Sequence, residues 1–177
     1  MYQQQSKASA EKVACCLSLI LFCTVVTAQD QQAESLRRTP TDIKTYLDKK
    51  YPGWKFLAVP PSAVMCRDAE TKLHPSLVRA DFNGDGQPDY ALQIEHSSGI
   101  RVFEFLSGGK TPSVHQLFAR KSIPMNDRPA LVLERKGQKT EVDTVEKVDS
   151  LKVSGCDSIP MRFVYRNGRV RNDSPND

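Results

Sequence analysis

A short acidic run at residues 81–89 limits the local structures that the middle of this chain can adopt. It reads D-F-N-G-D-G-Q-P-D, with oxygen-bearing side chains at its first, third, fifth and ninth positions. Gly86 at the sixth position permits the positive φ that a sharp turn requires. Residues 77–80 before the run and residues 90–95 after it have the composition and alternation of β-strands. The run is therefore predicted to be a tight loop between two strands.

Oxygen atoms at these spacings are the ligands that hard cations such as Ca²⁺ prefer. The predicted metal ligands are the side chains of Asp81, Asn83, Asp85 and Asp89 and the main-chain carbonyl of Gln87. The twelfth position is Leu92, where an EF-hand has a bidentate glutamate, so the loop is not an EF-hand. The alternative is a turn rich in Asn, Asp and Gly that binds no ion, because these residues favour turns on their own.

Residues 79–92, RADFNGDGQPDYAL, resemble the calcium loop of the FG-GAP/VCBS-type repeats found in integrin-α-like propellers. The resemblance implies that a hairpin presents the loop and that the five ligands named above hold one structural Ca²⁺. A propeller needs several blades, and this motif occurs once. The resemblance therefore implies the loop and the ion, without the propeller or its adhesive role. The chain is also similar to small exported bacterial proteins that carry a single such loop.

Residues 1–28 are predicted to be a secretory signal peptide. Lys7 and Lys12 form a positive n-region, and Val13–Val26 is almost entirely apolar. Small side chains before Gln29 fit signal-peptidase cleavage at that point. The protein is therefore expected to be exported, to a periplasmic or extracellular location.

Two alternatives treat the same segment as an anchor. A membrane-spanning helix needs about 20 apolar residues, and this run is shorter. A lipid anchor would modify Cys16 or Cys23, but neither follows the small residue that a lipobox requires, and both lie inside the apolar run.

The exported chain would keep two of the five cysteines, Cys66 and Cys156. An even pair in an oxidising compartment predicts one disulfide, which would close a loop of about 90 residues and stabilise the fold by roughly 4 kcal/mol. Two free thiols that never meet are the alternative.

Charge and length exclude some classes of protein. The full chain has 25 basic and 21 acidic residues, and removing two lysines and one glutamate with residues 1–28 leaves a net charge of +3. This mild charge does not suggest nucleic-acid binding. No further apolar run reaches transmembrane length after signal cleavage. About 149 residues remain, which suits a single domain.

The predicted fold class is α+β, with an N-terminal helix packed on a largely antiparallel sheet of seven to eight short strands. Residues 29–38 are expected to be a flexible leader, and residues 39–171 to form the domain. Thr39 is the predicted N-cap of the helix, with Pro40 at its first position. Asn167-Gly168 predicts a tight hairpin turn. Residues 172–177 are expected to be a disordered tail.

Catalytic motifs are sparse, which favours a non-enzymatic protein that acts as a binding or envelope-associated module. Its partner, a protein or an envelope component, is not specified by the sequence. The alternative is an exported hydrolase or hydrolase inhibitor in which the calcium hairpin only stabilises the fold. Its candidate residues would be Arg79, Glu95, His96 and the arginines of the final hairpin. Glu95 and Glu104 are predicted to be ordinary surface charges on strands.

Overall fold

The structure is a computed structural model, and it describes residues 28–60, 75–109, 111–137, 147–154 and 161–173. Within these ranges the chain forms two α-helices, nine β-strands and one short 3₁₀ helix at Met125–Asp127. The helices are α1 (Ala28–Arg38) and α2 (Thr41–Lys50). The strands are β1 (Lys55–Phe56), β2 (Leu77–Ala80), β3 (Asp89–His96), β4 (Gly99–Leu106), β5 (Ser113–Arg120), β6 (Ala130–Glu134), β7 (Ser150–Ser154), β8 (Met161–Arg166) and β9 (Arg169–Asn172).

The strands form two separate antiparallel sheets. In the first sheet β3 lies between β4 on one side and both β1 and β2 on the other, and β5 follows β4. The second sheet is a simple meander in the order β6-β7-β8-β9. Every described pairing in both sheets is antiparallel. The predicted α+β class and antiparallel pairing are confirmed. The prediction of one sheet with seven to eight strands was wrong, because the described residues form nine strands in two sheets.

Short turns set the register of the hairpins. The predicted turn at Asn167-Gly168 is confirmed, because Arg166 pairs with Arg169 and both turn residues have positive φ, 53° and 76°. Positive φ at both central residues is the geometry of a type I′ turn, whose twist matches that of the flanking strands. The turn between β3 and β4 is equally short, since His96 pairs with Gly99.

The first sheet is covered on both faces. On one face α2 contributes Ile43 and Leu47 to a cluster that includes Leu92, Ile94 and Phe103. On the opposite face the sheet packs against the second sheet around Val78, Ala91, Val102, Leu131 and Leu151. Strands β3 and β4 are therefore buried on both faces, which makes the first sheet the middle layer of a helix–sheet–sheet arrangement.

The N-terminal part of the described chain differs from the sequence prediction. Residues 29–38 were expected to be a flexible leader, but α1 covers this segment and lies beside β1. Gln, Ala, Glu, Leu and Arg, which dominate this segment, are good helix formers even without a clear apolar period. Glu34 also forms ion pairs with Arg37 and Arg38 one turn later.

Thr39 does not cap α2 as predicted. Its hydroxyl donates a hydrogen bond of 2.7 Å to the carbonyl of Ser35, and its amide bonds the same carbonyl, so Thr39 closes α1. Pro40 takes the N-cap position of α2 and makes no side-chain cap. The two helices are separated by this sharp junction.

Other predictions fall partly or wholly outside the described residues. The first 27 residues of the predicted signal peptide, and both Cys66 and Cys156, lie outside them. Of the predicted tail, Asn172 belongs to β9 and Asp173 forms ion pairs with Arg162 and Arg166, while residues 174–177 are not described. Among the helices that the structure describes, none has the length and apolar character needed to cross a membrane.

Candidate functional site

The acidic loop joins β2 to β3, as the flanking sequence predicted. Ala80 at the end of β2 pairs with Asp89 at the start of β3, so residues 81–88 form the turn of an antiparallel hairpin. Phe82 is 1% exposed and belongs to the apolar cluster between the sheets. Tyr90 packs on the opposite face of the first sheet, against the α2 cluster. Apolar side chains thus hold both ends of the loop in the core, and Asp85 and Gln87 are left exposed at its tip.

Three polar side chains fold the loop backbone. The two carboxylate oxygens of Asp81 accept hydrogen bonds from the amides of Gly84 at 2.8 Å and Gly86 at 3.1 Å. Asn83 Oδ1 accepts from the Asp85 amide at 2.9 Å, and Asp85 Oδ1 accepts from the Gln87 amide at 2.8 Å. These contacts are successive Asx turns, in which a side-chain oxygen satisfies a main-chain donor two or more residues later.

Two glycines make this backbone path possible. Gly84 and Gly86 have φ values of 79° and 82°, a region that residues with a Cβ rarely adopt. A Cβ on Gly84 would also lie 2.9 Å from Cγ1 of Val148, so the loop packs tightly against the segment that leads into β7. The loop is therefore a fixed structure between the two sheets.

Asp89 has a different environment from the other predicted ligands. It is fully buried, and its Oδ2 accepts hydrogen bonds from the amides of Phe82 and Asn83 at 2.9 and 3.2 Å. Its Oδ1 accepts from the amide and hydroxyl of Ser107 at 2.7 and 2.8 Å. A carboxylate has about four acceptor directions, so these four bonds fill them all. Burial raises the pKa of Asp89, and the four hydrogen bonds oppose that rise.

The turn after β4 packs against one side of the acidic loop. Asn83 Nδ2 donates to the Ser107 carbonyl at 3.1 Å and to Asp85 Oδ2 at the same distance. Gly108 lies so close to Asp85 that a Cβ there would collide with the carboxylate. Asn83 is therefore the residue whose amide ties the loop to this neighbouring turn, a role that an aspartate at the same position could not fill.

Asp149 joins the loop to the second sheet. It is 5% exposed, and its carboxylate accepts hydrogen bonds from the Asp81 amide at 3.4 Å, the Lys136 amide at 2.9 Å and Arg135 Nη1 at 3.2 Å. Sequence reasoning missed this residue, because nothing in the alternation of residues 147–154 marks a side chain that contacts a loop 68 positions earlier in the chain.

Some of the predicted ligand oxygens of the loop, but not those of Asp89, are free to bind a hard cation. Each Asp81 oxygen, Asn83 Oδ1 and both oxygens of Asp85 accept one hydrogen bond from the loop, which leaves lone pairs for an ion. Gln87, whose main-chain carbonyl is the remaining predicted ligand beside Asp89, is an exposed residue. Asp89 has no acceptor direction left. In the described part of the chain, no three His, Cys, Asp or Glu side chains are grouped as a metal site.

The other candidate residues are dispersed. Glu95 forms a two-pronged ion pair with Arg128 at 2.9 and 3.2 Å, while His96 on the opposite face of β3 contacts Ser97 and Ser98. Arg79 is exposed on β2. Of the arginines of the final hairpin, Arg162 pairs with Glu134 and Asp173, Arg166 pairs with Asp173, and Arg169 and Arg171 are exposed.

Glu104 is not the surface charge that the sequence predicted. It is 1% exposed, faces the second sheet beside Val102 and Leu106, and has one carboxyl oxygen without a hydrogen-bond partner among the described residues. Burial, with a smaller contribution from the negative charge of Asp89, raises its pKa to about 8. The pattern Phe103-Glu104-Phe105 resembles a strand with one solvated face, so alternation alone gave no sign that both faces are covered.

Comparisons of the chain with protein-family models, with curated proteins and with solved structures find no match.

Proposed function

We propose that the protein is an exported, non-enzymatic domain in which residues 81–89 bind one structural Ca²⁺. Asp81, Asn83, Asp85 and the Gln87 carbonyl would hold the ion. Its role would be to neutralise the carboxylates of the loop and to rigidify the junction of the two sheets. A domain of this kind suits a binding or envelope-associated role with a protein or envelope partner.

The observation that carries the proposal is the set of Asx turns made by Asp81, Asn83 and Asp85. These bonds fix the backbone around the side chains, and each side chain keeps oxygen lone pairs for an ion. Oxygen-only donors on a short loop with glycine at the sixth position favour Ca²⁺ over softer metals.

In this proposal Asp89 does not bind the ion. Its buried carboxylate stabilises the loop through hydrogen bonds. Its four hydrogen bonds join the start of the loop at Phe82 and Asn83 to Ser107 after β4. This role differs from the ligand role that the FG-GAP/VCBS resemblance implies for Asp89. A cation at Asp89 would have to replace one of these bonds, whereas the other positions carry no such requirement.

Thermal unfolding of the purified protein in EGTA and in 10 mM Ca²⁺ tests the proposal. A weak extracellular-type site has a dissociation constant on the order of 10⁻⁴ to 10⁻³ M. Saturation at this concentration would stabilise the folded state by about 1.4 to 2.7 kcal/mol, which raises the midpoint by several degrees.

Asp85→Asn is the informative variant, because it removes the charge and keeps the oxygen that accepts from the Gln87 amide. The calcium-dependent rise should fall by more than half in Asp85→Asn. Asp127→Asn, at an exposed aspartate of the 3₁₀ helix, is the matched control and should respond like the unmodified protein. Equal midpoints in EGTA and in Ca²⁺ for the unmodified protein would refute the ion-binding role.

The hydrolase alternative finds no comparable support among the described residues. Glu95 and His96 point to opposite faces of β3, and Glu95 is committed to Arg128. Catalysis by a carboxylate–imidazole pair requires the two groups within hydrogen-bond reach of one substrate.

A further inference from the structure

A second polar cluster lies at the opposite end of β3 from the acidic loop. It consists of Tyr51, just after α2, His96 at the end of β3, and Arg101 on β4. The ring of Tyr51 meets the His96 ring edge-on, with centroids 5.7 Å apart, and Cζ of Arg101 lies 5.3 Å from the Tyr51 centroid. We call these three residues the Tyr51 cluster. An eight-residue strand separates the cluster from the acidic loop by about 23 Å.

The guanidinium of Arg101 has no anionic partner in the described part of the chain. Its Nε is buried and has no hydrogen-bond partner among the described residues, and the guanidinium lies over the ring of Tyr51. Leaving a buried charged donor without a hydrogen bond costs more free energy than leaving a neutral donor without one. Arg128 provides a contrast, because its Nε is also unpaired but its other two nitrogens hold Glu95.

His96 lies on the same sheet face as Arg101 and contacts the two serines that follow it. The Ser98 amide donates to Nδ1 at 3.2 Å, so Nδ1 is an acceptor and the proton of the neutral ring is on Nε2. Nε2 is 3.3 Å from the Ser97 hydroxyl oxygen, which accepts this proton and keeps its own proton free to donate. Arg101 pairs directly with Ile94, so their side chains lie on the same face of the sheet. His96 is two residues after Ile94 on β3 and therefore shares that face with Arg101.

The carboxylates of Asp48 and Glu95 already have partners other than Arg101. Asp48 accepts from the indole nitrogen of Trp54 at 2.8 Å, and Glu95 projects from the other face of β3 to Arg128. The C-terminal end of α2, which would repel an anion, carries Lys49 and Lys50 in its last turn. Among the charged residues within three positions of Tyr51 or in contact with its ring, the basic Lys49, Lys50 and Arg101 outnumber the acidic Asp48, which favours a negative ligand.

We infer that the Tyr51 cluster binds a phosphoryl oxyanion. The Arg101 fork matches two oxygens of such a group, while the Ser97 hydroxyl, oriented by the proton of His96 Nε2, can donate to another. A tetrahedral phosphate offers more acceptor directions to donors on two strands than a planar carboxylate does. The aromatic ring of Tyr51 holds the guanidinium in place through its cation–π contact.

Titration with inorganic phosphate in EGTA, at ionic strength held constant with KCl, tests this inference without involving the acidic loop. The imidazole ¹H–¹⁵N signals of His96 should shift in a saturable way, and those of His115 on β5 should not. Arg101→Gln should weaken binding at least tenfold, and His96→Gln should weaken it several-fold.

A second experiment uses vesicles of phosphatidylcholine with and without phosphatidic acid, to distinguish binding of free phosphate from binding of a lipid headgroup.

Arg120→Gln is the matched control, because Arg120 lies on the neighbouring strand over the ring of Phe118 at 5.7 Å and is exposed. It should leave the affinity unchanged. Saturable binding, to either source of phosphate, that is lost in Arg101→Gln and kept in Arg120→Gln supports the site. Equal weakening by the two arginine variants, or no saturable change at His96 with either probe, would overturn it. Circular dichroism of each variant separates loss of binding from loss of fold.

Discussion

The two faces of the first sheet are built from the same strands but differ in chemistry. The centre of the face toward α2 is apolar and aromatic, and its polar residues His96 and Arg101 lie at one end. On this face Phe103 packs with Phe105 and Tyr51 at centroid distances of 6.1 and 5.3 Å. The face toward the second sheet includes the fully buried Asp89 and Gln93 and the nearly buried Glu104.

The two faces therefore show two ways of holding a neighbouring layer, the helix or the second sheet, against the first sheet. Apolar contacts are not directional, so the helix is held by buried area and shape. Buried polar groups require partners at defined positions, so they oppose any sliding of one sheet past the other. Gln93 illustrates this, because its Nε2 donates to the carbonyls of Pro75 at 3.1 Å and of Pro129, next to β6, at 2.9 Å.

The largest effect is expected on the apolar face. Phe103→Ala removes a side chain that is 1% exposed and should lower the free energy of unfolding by about 3–5 kcal/mol. Urea unfolding followed by circular dichroism measures this loss. Phe118→Ala, at a half-buried phenylalanine of β5, is the control and should lose clearly less. Equal losses would show that the helix-facing cluster is not the dominant core.

The next effect depends on pH and belongs to the inter-sheet face. The pKa of Glu104 is raised from 4.5 to about 8, so the folded state binds this proton more tightly than the unfolded state does. The stabilisation is therefore fully present below pH 4.5 and is lost as the pH rises toward 8, at up to about 1.4 kcal/mol per pH unit.

Glu104→Gln should remove this dependence, because glutamine stays neutral. The variant should be more stable than the unmodified protein at pH 8 and similar to it near pH 4.5. Urea unfolding in EGTA at pH 5, 6, 7 and 8 measures both curves. Parallel curves for the two proteins would contradict the buried, protonated state of Glu104.

A smaller effect is expected from the glutamine that spans the inter-sheet junction. Gln93→Ala leaves the carbonyls of Pro75 and Pro129 without their side-chain donor and should cost about 2 kcal/mol. Gln116→Ala, at an exposed glutamine of β5, should change stability by less than about 0.5 kcal/mol. Thermal melts of both variants give the comparison, and similar melts would mean that Gln93 does not fix the sheets.

The smallest effect is expected at the edge of the inter-sheet face. Asp149→Asn removes the charge that attracts Arg135, whose side chain is 59% exposed, and should cost about 1 kcal/mol. The amides of Asp81 and Lys136, which donate to this carboxylate, should exchange hydrogen faster. Unchanged exchange at both amides would show that Asp149 does not hold the loop to the second sheet.

Local features of the fold could be predicted from the sequence, and long-range ones could not. The turn at Asn167-Gly168 and the hairpin that holds residues 81–88 follow from turn chemistry, which depends on a few neighbouring residues. The division into two sheets depends on which strands pair at a distance, and strand alternation does not encode that choice. The burial of Glu104 and Gln93 has the same origin, because it depends on a second sheet that the alternation within β3 and β4 cannot indicate.

The first sheet also has an edge made of two pieces. The Leu57 amide bonds the Gln93 carbonyl just after β1, and the Gln93 amide bonds the Ser76 carbonyl just before β2. Ser76 Oγ then donates to the Leu57 carbonyl at 2.6 Å, so both ends of the intervening segment meet at one point on β3. The two edge strands are therefore joined to each other as well as to β3, and a shift of either one along β3 would break hydrogen bonds of the other.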